Sequence, residues 1–133
     1  MKIARFLFAS LVIAGVPCVA SANETGLSKQ YTACMDKAGS TTFGMIECIN
    51  TETQRQDVQL NKAYKAYKAL MAELAPPRRT QLQEAQRAWI KYRDANCAFY
   101  YDLDGGTLAR VNANACMMTA TADRARELER LTP

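Results

Sequence analysis

Apolar or small residues at Ile46, Ile49, Thr53, Leu60, Tyr64, Tyr67, Met71 and Leu74 recur in steps of three and four, with Gln56 filling the one polar step. That spacing keeps them on one face of an α-helix, and Pro76-Pro77 fixes where the helix must stop. Proline at 76 pushes Ala75 out of helical geometry. Pro77 suits the first turn of a following helix, where a backbone N–H has no partner anyway. The chain is committed to two long helices meeting at a sharp corner.

Beyond the corner, Leu82, Ala85, Trp89, Tyr92, Asn96 and Phe99 continue a helical stripe to about Tyr101, and Gly105-Gly106 then breaks the chain. Leu108, Val111, Ala115, Met118, Ala122, Ala125 and Leu128 form the stripe of a closing helix, with Asp123, Arg124, Arg126, Glu127, Glu129 and Arg130 largely on its outer side. A shorter helix, capped by Ser28 and running to about Lys37, precedes Gly39, and Thr41 or Thr42 caps the long one. No alternating, β-branched run argues for a sheet. The predicted class is all-α: an antiparallel bundle of about four helices with one or more long helical hairpins. Short connections make consecutive helices neighbours, in an elongated shape without deep clefts.

The amino terminus carries Lys2 and Arg5, an apolar run from Phe6 to Val16, and the small-x-small site Ala20-Ser21-Ala22. This is the pattern of a cleaved secretory signal peptide over residues 1–22, leaving a single domain over residues 23–133 in the periplasm or outside the cell. No later stretch reaches the roughly 20 apolar residues of a membrane helix, so no transmembrane anchor is expected. Cys18 would take a lipid only with a small residue before it, and Pro17 stands there. Export favours pairing of Cys34, Cys48, Cys97 and Cys116. Four cysteines allow three connectivities, and the spacing suggests Cys34 with Cys48 and Cys97 with Cys116, each clamping one corner between helices. A metal site is disfavoured, since the chain has no His and no C-x-x-C pair. Of 17 basic residues, Lys2 and Arg5 leave with the signal, so 15 face 13 acidic ones. With no basic block or aromatic-interleaved stripe, nucleic acid is not an expected partner.

Enzymatic constellations are sparse. Without His, nucleophilic catalysis lacks its usual base, and bridged cysteines are not thiolates. Glu47, Glu52, Glu84 and Asp94 are the carboxylates a glycosidase would have to pair across a cleft, yet they lie on amphipathic helices. Gly105-Gly106 lacks the spaced glycines and lysine of a phosphate loop. The expectation is a non-enzyme with no cofactor and no metal. Trp89 is expected to fill the bundle's middle, the alternative being an exposed anchor for a partner. Arg93 and Asp94 point about 100° apart on a helix, so each is expected to seek its own partner, Arg93 reaching Glu47, Glu52 or Asp57. Tyr100, Tyr101, Asp102 and Asp104, before Gly105-Gly106, make the best candidate recognition surface, although Asp and Gly also serve a tight turn.

The order Gln86-x-x-Trp89-x-x-x-Arg93-Asp94-x-x-Cys97, with Cys34, Cys48, Leu60-Asn61-x-x-Tyr64, Leu70, Leu82 and Cys116, resembles the LprI-like proteins of the bacterial envelope, named for a lysozyme inhibitor. The resemblance implies a small exported helical module held by disulfides, with lysozyme or another peptidoglycan hydrolase as partner. An inhibitor of that kind would occlude the enzyme's cleft and protect peptidoglycan. A structural or envelope-associated interaction module without inhibitory activity is the alternative. Gln86, Trp89, Arg93 and Asp94 would then be a structural motif, leaving the contact surface to the Tyr100–Gly106 turn.

Overall fold

In the computed structural model, residues 25–133 are described; the expected signal peptide over residues 1–22, and Cys18, lie outside them. Helix α1 (Lys29–Ala38) starts where the Ser28 hydroxyl accepts the Tyr31 N–H at 3.1 Å and ends at Gly39, whose φ of 57° is a value side chains disfavour. Helix α2 (Thr42–Leu74) runs unbroken to Ala75, held extended at φ −152° as proline 76 requires. Thr41 stands at its start, yet its hydroxyl donates back to the Ala38 carbonyl at 2.9 Å and ties the α1–α2 corner together. Helix α3 (Pro76–Phe99) takes both prolines into its first turn, and α4 (Gly106–Arg130) opens at Gly106 with φ 64°. No strand occurs among the described residues.

Both expected disulfides are formed. Cys34–Cys48 fastens α1 to the first third of α2, and Cys97–Cys116 fastens the end of α3 to the middle of α4. They close stretches 14 and 19 residues apart, each worth about 3 kcal/mol through the restricted unfolded chain.

The most extensive contact joins α2 to α4, which are not consecutive and run parallel. The Thr42 hydroxyl donates to that of Thr107 at 3.3 Å at one end. Ile49 packs with Val111 and Met118 further along, and Leu60 and Ala63 meet Ala125 and Leu128 towards the other end. Each of Ile49, Leu60, Met118 and Leu128 contributes about 1.5 to 3 kcal/mol by burial. The alanines of α4 let the two axes approach. Helix α3 returns antiparallel to both, bringing Leu82 and Trp89 onto the Leu60–Leu128 cluster.

Several stripe positions differ from the sequence pattern. Leu74, Tyr92, Phe99 and Leu108 are exposed, Phe99 at 84%. On α3 the inward line is Leu82, Gln86, Trp89, Arg93 and Cys97, because the Cys97 disulfide turns the helix so that two polar side chains face inward and two aromatics face out. Hydrophobic periodicity does not register such a constraint.

Candidate functional site

The line on α3 is a polar seam against α4. Trp89 is half-buried, its ring covered by two guanidinium groups, with Arg93 Cζ at 5.1 Å and Arg124 Cζ at 5.9 Å from the ring centroid. Such stacking is favourable by about 0.5 to 2 kcal/mol per pair. The Arg124 Nε donates to Gln86 Oε1 at 3.0 Å while its Nη1 pairs with Glu127 at 2.7 Å. Arg93 Nη1 donates to Thr121 Oγ1 at 3.2 Å and lies 4.0 Å from Asp57 of α2, one of the three carboxylates expected for it.

The expectation that Arg93 and Asp94 look away from one another is corrected. Arg93 Nε and Nη2 both donate to Asp94 Oδ1, at 2.9 and 2.8 Å. The long arginine stem bends back along the helix surface and overcomes the 100° offset of the two Cβ atoms. Trp89, partly buried, packs on the Leu60–Leu128 core cluster with the arginines stacked on its ring. Gln86, Trp89 and Arg93 therefore hold α3 onto its neighbours, with Asp94 steadying Arg93.

A second network escaped the sequence pattern. Glu52 is completely buried, accepting hydrogen bonds from the Ser28 N–H (2.8 Å), the Ser28 hydroxyl (2.6 Å), Gln56 Nε2 (2.8 Å) and Arg55 Nη1 (2.9 Å). Gln56 also donates to the Gly26 carbonyl at 3.0 Å, so α2 grips the segment leading into α1. Burial pushes the Glu52 carboxyl up, but the donors of Ser28, Gln56 and Arg55 outweigh it and hold the group below its ordinary range. A glycosidase acid needs the opposite shift. Burial, and then the Glu52 charge, raise the neighbouring Tyr31 hydroxyl above its usual value. The only sequence signal was a Ser-flanked helix start opposite a Glu and Gln four residues apart.

The α3–α4 turn gathers the remaining candidates at one end of the bundle. Tyr100 and Tyr101 are half-exposed, Leu103 is 86% exposed, and Phe99 meets Tyr100 edge to face at 5.8 Å. Asp102 and Asp104 are both exposed. The Asp104 N–H donates to Asp102 Oδ1 at 2.9 Å and the Gly105 N–H to the Asp102 carbonyl at 3.2 Å, a side-chain-stiffened turn. Asp102 is thus both turn-former and surface charge, while Asp104 offers its carboxylate to solvent. Tyr101, Leu103 and Arg110 border an open groove of about 310 Å³ there, and the Cys97–Cys116 bridge anchors the turn from below.

Residues 34–128 match the family model described as Lysozyme inhibitor LprI. The chain belongs to the LprI family. The matched span runs from Cys34 almost to the end of α4, so it takes in both disulfides, the polar seam, Glu52 and the α3–α4 turn. A similar protein is "Uncharacterized protein R02472" of Rhizobium meliloti (strain 1021), 30% identical over 95 residues, covering 63% of this chain and 68% of that protein. No solved structure matches the chain. In this LprI-family chain the Gln-x-x-Trp-x-x-x-Arg-Asp-x-x-Cys stretch lies on the seam that docks α3.

Proposed function

We propose that this LprI-family chain is an exported, non-enzymatic binding protein that inhibits a lysozyme by inserting its acidic, aromatic α3–α4 turn into the enzyme's cleft. The signal peptide over residues 1–22, the single domain over residues 23–133 and a periplasmic location belong to the same reading. The observation that carries it is the composition of the turn: Phe99, Tyr100, Tyr101 and Leu103 exposed beside Asp102 and Asp104, on a disulfide-anchored corner. Aromatic side chains dominate the centres of protein contacts, and carboxylates steer towards a cationic enzyme face. A pre-formed turn also loses little freedom on binding.

Purified protein titrated into lysozyme is expected to abolish turnover near a one-to-one ratio. Substituting Asp102→Asn together with Asp104→Lys keeps the turn's side-chain acceptor while reversing its charge. That variant is expected to inhibit at least about tenfold more weakly, mostly through slower association. Full inhibition by the variant would move the contact surface elsewhere, and a flat wild-type titration against several lysozyme types would remove inhibition as the function.

A further inference from the structure

The end of the bundle opposite the acidic turn has the reverse character. Helix α2 has 33 residues, so its carboxyl end lies about 50 Å from the turn beside Thr42 and Thr107. From residue 62 to residue 79 the chain carries Lys62, Lys65, Lys68, Arg78 and Arg79 against Glu73 alone. Lys65, Lys68 and Arg79 border an open groove of about 330 Å³ between α2 and α3, floored by Ala69 and Ala72. Among the described residues the ion pairs belong to Arg55, Arg93, Arg124 and Arg126, so the cations of this hairpin have no carboxylate partner. Lys68 instead lies over the Tyr64 ring, 5.7 Å from its centroid. At the corner itself Leu74 is 71% exposed, next to Ala75-Pro76-Pro77.

We propose that this hairpin end docks on an anionic lipid bilayer, Lys62, Lys65, Lys68, Arg78 and Arg79 meeting headgroup phosphates while Leu74 enters the acyl boundary. Charge complementarity selects an anionic partner, and the leucine projecting from the same corner selects a bilayer over a soluble polyanion. A polyanion offers Leu74 no apolar phase. Each cation held at such a surface multiplies binding about fivefold, so five of them offset by Glu73 give reversible, salt-sensitive attachment. Glu73 and Glu84, both exposed, are the carboxylates that oppose it. Docked this way, the protein points its acidic turn away from the membrane.

The test uses residues 25–133, which hold all four helices and both disulfides, so that the apolar run Phe6–Val16 adds no affinity of its own. Co-sedimentation is expected with vesicles containing phosphatidylglycerol, is expected to be absent with pure phosphatidylcholine, and is expected to fall away at high salt. Lys65→Glu with Arg79→Glu is expected to lower the partition coefficient at least about tenfold while far-ultraviolet circular dichroism stays unchanged, since both side chains are exposed. Leu74→Gln, which leaves the charge unchanged, is expected to weaken vesicle binding but to leave inorganic polyphosphate binding alone. The proposal is overturned if phosphatidylglycerol vesicles are not bound, if the charge-reversed protein binds as wild type does, or if Leu74→Gln changes nothing. Lysozyme inhibition by the Lys65→Glu, Arg79→Glu protein is expected to be intact, which separates this site from the turn.

Discussion

Replacing Glu52 by alanine tests the largest polar commitment in the fold. The substitution removes four hydrogen bonds from a carboxylate with no exposed surface. The losses are unequal. Arg55 is 43% exposed along its side chain and regains water, and the Ser28 hydroxyl is part-exposed, so both recover much of their bond. The Ser28 N–H and the Gln56 amide have less access to water, and each unsatisfied group costs about 1 kcal/mol or more; adding the void left by the side chain gives about 3 to 4 kcal/mol. For a chain of this size that corresponds to a Tm lower by roughly 12 to 20 °C with disulfides intact. Glu52→Gln is expected to cost only about 1 to 2 kcal/mol, because its amide nitrogen donates to Ser28 Oγ and only the solvent-accessible bond from Arg55 is given up. The two variants also differ with pH. The folded carboxyl titrates below its ordinary value near 4.5, so its contribution is present above that value and is lost as pH falls through the folded pKa. Urea unfolding measured at neutral pH and in steps down to pH 3 reads both effects. An alanine variant within about 1 kcal/mol of wild type, or a glutamine variant that loses stability on acidification just as wild type does, would refute the reasoning.

Other outcomes follow from particular contacts. Trp89→Ala is expected to cost about 2 to 3 kcal/mol in urea melts, less than a fully buried tryptophan because the ring is half-buried, and to loosen Arg93 and Arg124 together. Cys97→Ser with Cys116→Ser is expected to lower stability by about 3 kcal/mol and to speed amide exchange at Tyr100–Gly106 before the rest of the chain. Gly26→Ala is expected to destabilise by about 1 to 2 kcal/mol, as a Cβ at φ 69° would lie 2.7 Å from Arg126 Cδ; a melt equal to wild type would contradict the close approach.

Elements dictated by short-range chemistry were legible from the residues. Ser28 caps α1, Gly39 ends it, Pro76 stops α2, and the small loops enclosed by the two cysteine pairs brought each pair within bonding reach. The face of α3 was not, because its periodic aromatics Tyr92 and Phe99 competed with Gln86, Arg93 and Cys97 for the inner position, and hydrophobicity alone favoured the wrong set. Glu52 was hidden for a related reason. A buried carboxylate becomes acceptable only when its donors are in place, and Ser28 lies 24 residues away.

The sequence by itself determined the helices and their limits and suggested the local bridges and the family, since capping, proline geometry and loop closure act over a few residues to a few turns. Tertiary structure alone decided that α2 pairs in parallel with α4, that arginines cover Trp89, and that acidic and basic surfaces stand at opposite ends. Those outcomes depend on which faces pack best once all four helices compete for the same hydrocarbon, a comparison of whole surfaces that no single stretch of residues contains.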